Sequence, residues 1–165
     1  MTLRARLLLV TILLLFLAPL AVRAGGASPT HADFVLRVLE LTNQERARHG
    51  LPSLLLDPEL CSAAQTHCQD MAGHNYFSHT GSDGSTVGDR ISAAGYSSPW
   101  AYGENIAAGQ LSPEEVVAAW MNSEGHRANV LCPWYTEIGI AYVYAPDTTY
   151  WRYWAQNFAS KKEGS

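Results

Sequence analysis

Apolar residues recur at the spacing of one helix face over the first two thirds of the chain. Residues 31–49 and 57–73 both show this period, and each segment meets a glycine that stops a helix. An N-cap residue followed by proline opens the second segment and also a third one, residues 112–122, whose first residues have the spacing of a capping box. A shorter helix is predicted at residues 89–94. The pattern therefore predicts four helices.

The pattern changes to alternation near the end of the chain. Residues 138–144 alternate large apolar side chains with small ones, and a Pro-Asp turn then leads into an aromatic run at residues 150–158. The two runs predict an antiparallel hairpin. Helices that mostly precede the strands indicate an α+β protein whose helices cover a sheet. No internal repeat is present, which predicts a single domain.

The first 24 residues have the composition of a secretory signal peptide. Two arginines precede an apolar run at residues 7–20, and residues 22–24 provide the small residues expected before a cleavage site. As a helix the run rises only about 21 Å, short of a bilayer core of roughly 30 Å, although an uncleaved anchor is the alternative. We expect cleavage after Ala24, a secreted protein without a membrane span, and a flexible leader at residues 25–32.

The charge balance argues against nucleic acid and anionic lipid as partners. The chain carries 15 acidic and 11 basic residues, a net charge of −4. Three of the basic residues belong to the signal peptide, so the mature chain has a net charge of about −7. Binding to nucleic acid or to anionic lipid needs a basic face, which this composition does not provide.

In an exported protein the three cysteines meet an oxidising environment, in which disulfide formation is expected. Cys61 and Cys68 are seven positions apart in a predicted helix, which separates their Cα atoms by roughly 10 Å, whereas a disulfide tolerates at most about 7 Å. In an oxidising compartment one of them is expected to pair with Cys132. The sequence leaves open which one.

Three short clusters combine polar and apolar residues in the manner of functional sites. His79 opens a glycine-rich loop in Phe-Ser-His, Glu104 stands in Gly-Glu-Asn, and His126 stands in Gly-His-Arg. A histidine can act as a base or a metal ligand, and a carboxylate can orient it. The alternative interpretation of each residue is a hydrogen-bonded loop or cap. Asp83 and Asp89 give a weaker calcium pattern, since the ordered EF-hand spacing is missing.

Two further motifs accompany these clusters. Residues 39–52 contain Leu-x-x-x-Asn-x-x-Arg-x-x-x-Gly-Leu-Pro, and residues 63–72 contain Ala-Ala-x-x-His-x-x-Asp-Met-Ala. The five motifs, in this order over about residues 35–159, resemble the CAP superfamily (cysteine-rich secretory, antigen 5 and pathogenesis-related-1 proteins) in its shorter, bacterial SCP-like form. The resemblance implies an α+β fold, a three-layer α-β-α sandwich with a central antiparallel sheet and a broad cleft. It places a CAP domain at residues 33–160 and a C-terminal tail at residues 161–165.

The resemblance also implies a cleft formed by two histidines and two glutamates, which binds zinc in some members of the family. His79, Glu104 and His126 stand at three of the four positions. At the expected position of the second glutamate this chain has Ser123, and Glu124 is next to it, one helical step of about 100° away. The implied metal ligands are therefore His79, His126 and Glu104, with water completing the shell of a zinc ion.

Three functions remain open at this point. The leading one is a binding module for a small apolar ligand, such as a sterol or a fatty acid, or for a protein partner. A metal-dependent or histidine-assisted extracellular hydrolase is an alternative, although the Gly-x-Ser-x-Gly elbow is missing, and a purely structural scaffold for protein–protein interaction is another. We expect a monomer and do not predict an enzyme. The aromatic residues that could offer binding surface are Trp100, Tyr102, Trp134, Tyr135, Trp151 and Tyr153, and packing in the core explains most of them equally well.

Overall fold

The computed structural model describes residues 30–161, so the predicted signal peptide lies outside the described residues. Within this range no helix has the length and apolar character needed to cross a membrane. Five helices and four strands form in this part of the chain. Their order is α1 (His31–Arg48), β1 (Leu55–Leu56), α2 (Pro58–Gly73), α3 (Val87–Ala93), β2 (Pro99–Ala108), α4 (Pro113–Asn122), α5 (Glu124–Val130), β3 (Glu137–Ala145) and β4 (Trp151–Lys161).

The strands form one sheet in the order β1-β3-β4-β2. The three long strands pair antiparallel, with β4 in the middle, which confirms the central antiparallel sheet and the predicted β3–β4 hairpin. The two-residue strand β1 adds a short parallel pair with β3 at one edge, so the whole sheet is mixed. At the opposite edge β2 has a strand neighbour on one side only.

Helices cover both faces of the sheet, as the three-layer sandwich requires. α1, α4 and α5 lie on one face, over a core that contains Trp120, Trp154 and Phe158. α2 lies on the other face, against small residues of the sheet such as Ala141 and Ala155, and α3 packs beside α2. The small side chains let α2 approach the sheet closely.

The predicted starts of α1, α2 and α4 are confirmed by their caps, whereas α3 begins two residues earlier than predicted, after the N-cap Thr86. Thr30 and Asp33 form a capping box at the start of α1, so the last two residues of the predicted leader belong to this helix. Asp57 accepts hydrogen bonds from the first backbone N–H groups of α2. At α4 only half of the predicted capping box forms: Ser112 accepts from the Glu115 N–H, while the Glu115 carboxylate accepts from Leu111.

Three elements were not predicted, the two-residue strand β1, the strand β2 and the helix α5, and the ends of others differ from the expectations. The sequence did not predict β2, because its buried stretch, residues 104–107, begins with two polar residues and lacks simple alternation. It did not predict α5 either, because Val130 is the only buried residue of that helix and no apolar period arises. Lys161 is the last residue of β4, so the predicted tail loses its first residue to the sheet.

The structure corrects the predicted disulfide between Cys132 and Cys61 or Cys68, because all three residues are free thiols. Cys61 and Cys68 lie on α2, while Cys132 packs against the core on the opposite face of the sheet. The sheet therefore separates the expected partners. The Cys61 sulfur accepts a hydrogen bond from the Ile140 N–H at 3.4 Å, and full burial raises the pKa of the Cys68 thiol.

The close contact between α2 and β3 predicts a strong effect of one methyl group. A Cβ atom at Gly139 would overlap the backbone of Leu60 and Cys61 in α2. We expect Gly139→Ala to lower the free energy of unfolding by about 3 kcal/mol, since neither backbone can yield, and urea unfolding measures the loss. Gly125→Ala is the matched control, because nothing lies within 4 Å of its added methyl group. An equal stability of the two variants would contradict this close packing.

Candidate functional site

The site is built around two adjacent residues of the edge strand β2. Successive side chains of a strand point to opposite faces, so Glu104 faces the layer of α2 and α3 while Asn105 faces the layer of α1 and α5. Both side chains are buried. Opposite them in register on β4 stand Asn157 and Gln156, which continue the same two polar rows.

The Glu104 carboxylate is the centre of the row that faces α2 and α3. It accepts hydrogen bonds from His79 Nδ1 at 2.7 Å and from Arg90 Nη2 at 2.8 Å, and its side chain is only 2% exposed. In the amide orientation that satisfies both of its neighbours, Asn157 donates to this carboxylate at 3.3 Å and accepts from the Ala64 N–H at 3.0 Å. Burial opposes the ionisation of Glu104, but the bond from His79 and the charge of Arg90 outweigh it and hold the pKa below its ordinary value.

Arg90 fastens the glycine-rich loop to this carboxylate. Besides Glu104 it donates to the backbone carbonyls of His79 at 3.0 Å and of Ser85 at 2.9 Å. Its side chain is 5% exposed, so Glu104 and Arg90 form a buried ion pair with further hydrogen bonds. The sequence analysis did not select Arg90, because nothing local in its short helix indicates a buried partner 14 residues away.

His67 supports the same loop from below. It is fully buried on α2, its Nε2 lies 2.9 Å from the Ser78 carbonyl oxygen, and Nε2 is 4.0 Å from the nearer oxygen of Glu104. Burial lowers its pKa, which the nearby charge of Glu104 only partly offsets. The sequence contained a signal for His67, since it stands among the apolar residues of the α2 stripe, where a histidine needs a buried partner.

His126 reaches the site from the opposite layer. It stands in α5 and is half-buried, and burial and the nearby charge of His79 both lower its pKa. His79 is the more exposed of the pair, with 58% of its side chain accessible. The two imidazoles thus come from the two helical layers and meet over the open edge of β2.

The two histidines line one groove. It has a volume of about 630 Å³, within the range of small-molecule sites, and lies at the end of β2 between α4 and the loop before β4. Glu104 lies beneath the groove and is not part of its wall. The lining residues are Phe77, Ser78, His79, Ile106, Ala107, Ala108, Gln110, Ala119, Trp120, Ser123, His126 and Tyr150.

Comparison with known proteins decides the family. The family model described as CAP, cysteine-rich secretory protein family, matches residues 39–158. The chain belongs to the CAP family. Two bacterial relatives and one solved bacterial structure are similar over most of this chain, and the chain spans less than half the length of each of these three.

The protein YkwD of Bacillus subtilis (strain 168) is 46% identical over 125 residues, which cover 76% of this chain and 46% of YkwD. The membrane protein YlbC of the same organism is 35% identical over 76% of this chain and 34% of its own length. An extracellular protein containing a SCP domain, from Bacillus anthracis str. Ames, has a solved structure. It superposes with a TM-score of 0.69 and 34% identity over 82% of this chain and 45% of that chain.

The fourth position of the CAP cleft is occupied by Ser123. This residue separates α4 from α5 and lines the groove together with both histidines. Glu124 is exposed and lines a separate shallow groove beside Trp134. Glu124 therefore does not supply the missing carboxylate, because its place at the start of α5 turns it away from His79 and His126.

The residues implied as zinc ligands do not form a site of three protein ligands. His79 and His126 line the groove, but both oxygens of Glu104 are engaged below it by His79 and Arg90. Between residues 30 and 161 no three His, Cys, Asp or Glu side chains are arranged to hold a metal ion. Since catalytic and structural zinc sites use three or four protein ligands, the donor set does not fit that ion.

The structure also places the two aspartates of the weaker calcium pattern and the six aromatic residues. The Asp83 and Asp89 carboxylates accept hydrogen bonds from the Ser85 N–H and from Thr86, so they stabilise the loop and the start of α3. Of the six aromatic residues that could offer binding surface, Tyr135 and Tyr153 are buried, and the aromatic residues of the groove are three others, Phe77, Trp120 and Tyr150. The four that are exposed are Trp100, Tyr102, Trp134 and Trp151, and none of them lines the groove.

The buried ion pair predicts the cost of removing the Glu104 charge. Glu104→Gln leaves the Arg90 guanidinium without a counter-charge, and we expect the free energy of unfolding to fall by about 3–5 kcal/mol in urea. Glu114→Gln is the matched control, since Glu114 pairs with Arg37 at the surface, where the loss should stay below about 1 kcal/mol. Similar losses in the two variants would show that the buried pair is no more important than an exposed one.

The buried histidine predicts a pH dependence of stability. The pKa of His67 is lowered in the folded protein, so the unfolded chain takes up protons first and stability falls as the pH drops below about 6.5. We expect His67→Gln, whose amide can still donate to the Ser78 carbonyl, to lose less stability between pH 7 and 5. Urea unfolding at several pH values compares the two slopes. Equal slopes would mean that His67 does not titrate in this range.

Proposed function

We propose that the chain is an extracellular binding module that holds a small molecule in the groove, with an apolar body and a hydroxyl head directed at His79 and His126. The observation that carries this proposal is the division of the groove into an apolar wall and a histidine pair. Phe77, Trp120 and Tyr150 provide aromatic surface in that wall. Ligand sites of this size are typically apolar with a few placed polar groups.

The hydrogen bond from His79 to Glu104 favours a ligand whose polar head donates a hydrogen bond to the other nitrogen of His79. A carboxylate oxygen can only accept, so Nδ1 of His79 carries the hydrogen of this bond, and Nε2 is an acceptor when the ring holds no second proton. Burial keeps His126 neutral near pH 7, and a neutral imidazole offers one donor and one acceptor. A hydroxyl group can donate to His79 and accept from His126 at the same time, whereas an ether can only accept.

A hydrolase draws support from one observation, the carboxylate that orients His79. Nucleophilic catalysis needs more, namely a serine or cysteine in hydrogen-bond contact with the base. Among the described residues no serine or cysteine side chain hydrogen-bonds to the ring of His79 or His126. The groove therefore supports binding better than catalysis. The scaffold alternative is compatible with binding, because Glu104 also ties three parts of the fold together.

Export is part of the proposal. The predicted signal peptide favours a released protein, and the Bacillus anthracis relative is named an extracellular protein, although YlbC is named a membrane protein. The chain spans less than half of these relatives, so the activity of a longer protein that contains this domain is not specified by the groove alone.

A pair of probes and a pair of variants test the groove. Naphthol and its methyl ether have the same apolar body, and only naphthol can donate a hydrogen bond. We expect naphthol to bind the mature protein more tightly, and Ala119→Phe, which fills the groove, to weaken both probes by about tenfold or more, measured by NMR titration. Ala118→Phe is the matched control on the exposed side of the same helix.

The histidine variant separates the two parts of the proposal. We expect His79→Ala to remove the preference for naphthol over its ether while both probes still bind. Binding that is insensitive to Ala119→Phe would overturn the groove as the site. An equal preference in the parent protein and in His79→Ala would overturn the role of the histidine pair, and turnover of ester analogues of the probes would favour the hydrolase instead.

A further inference from the structure

We infer that Asn105 is the residue that positions His126 at the groove, by holding α5 to the edge of the sheet through its side-chain amide. The inference rests on the proposed function for its biological meaning, because it concerns how one of the two groove histidines is kept in place. The evidence for the geometry is independent of any ligand.

α5 has little apolar packing. Besides its contacts with Asn105 and β2, Arg46 of α1 donates to the Val130 carbonyl at its C-terminal end at 2.9 Å, and Arg127 donates to the Met121 carbonyl of α4 at 2.9 Å. The helix contains seven residues, of which only Val130 is buried, and its first turn receives no hydrogen bond from an N-cap side chain. Short helices are marginal in water, and most helices in proteins are stabilised by packing of an apolar face. One buried valine supplies little packing, so the position of this helix depends on polar contacts with its neighbours.

Asn105 makes these contacts at two points of α5. Its Nδ2 donates to the backbone carbonyl of His126 at 3.1 Å, and its Oδ1 accepts from Asn129 Nδ2 at 2.9 Å. Asn129 also donates to the Glu104 carbonyl at 3.1 Å, on the backbone of the same strand. The two contact points lie almost one helical turn apart, so they fix both the distance of the helix from β2 and its rotation.

The rest of the fold holds Asn105 itself in place. Its Nδ2 donates to Gln156 Oε1 at 3.2 Å, and Gln156 Nε2 donates to Thr42 Oγ1 at 2.9 Å. All three of these residues are fully buried. The chain of bonds therefore runs from α1 through β4 and β2 to α5, and every member has a partner in the core. Because buried amides are costly to leave unpaired, this network has one preferred arrangement.

Amide hydrogen exchange of the ligand-free protein tests the inference. In Asn105→Ala we expect the backbone amides of residues 127–131 to exchange about tenfold faster or more, while the slow amides of α4 change much less, because the loss is local to α5. Asn43→Ala is the matched control. That asparagine also makes two hydrogen bonds through its side chain, both to the Leu54 backbone and neither to α5. We expect this control to leave α5 unchanged.

A second variant separates local loosening of α5 from destabilisation of the whole fold. Gln156→Met removes the support of Asn105 but leaves its bonds to α5, so we expect exchange in α5 to rise less than in Asn105→Ala. A uniform rise over α4 and α5, or none in α5, overturns the inference. Naphthol binding is measured on the same samples. Loosened α5 with unchanged naphthol preference would leave the positioning role intact and contradict the role of His126 in the proposed function, so the two failures are distinguishable.

Discussion

The structure of the site depends on one buried negative charge. A carboxylate can stay ionised in the interior only if donors surround it, and Glu104 meets this condition with His79, Arg90 and Asn157. Each donor belongs to a different part of the chain: the glycine-rich loop, α3 and β4. The need to satisfy this charge therefore brings those parts together. The loop that carries His79 has few apolar residues and takes its position from this interaction together with the hydrogen bonds that His67 and Asp70 of α2 make to it.

The second constraint is the position of β2 at the edge of the sheet. A strand in the middle of the sheet would have neighbours on both sides, and no groove could form between the two helical layers. At the edge, residues from the α2 layer and from the α5 layer can meet, and the alternation of the strand gives each layer its own polar anchor. One layer is anchored by Glu104 and the other by Asn105. The groove exists because these two anchors are neighbours in the chain.

Local sequence patterns predicted much of this fold, whereas contacts between residues far apart in the chain were missed. The helices α1, α2 and α4 could be predicted from apolar period and caps, and β3 and β4 from alternation. His79 and Glu104 do meet, as the family resemblance implied. His67 was signalled only by its place in the apolar stripe of α2, and the contact of Arg90 with Glu104 is one that no spacing reveals. The disulfide prediction failed for the same reason, because cysteine spacing does not show that a sheet separates the partners. The short helix α5 is held by polar contacts and leaves no apolar pattern.

The neighbouring anchors of β2 restrict how relatives of this domain can diverge. A substitution in the groove wall alters one surface and leaves the framework in place. An insertion or deletion of one residue within β2 would reverse the side on which every following side chain lies. It would turn the charge of Glu104 towards α5 and the amide of Asn105 towards Arg90, and both layers would lose their partners together. We therefore expect length changes in this lineage to accumulate in the loops that flank β2, and the groove to change its ligand through point substitutions alone.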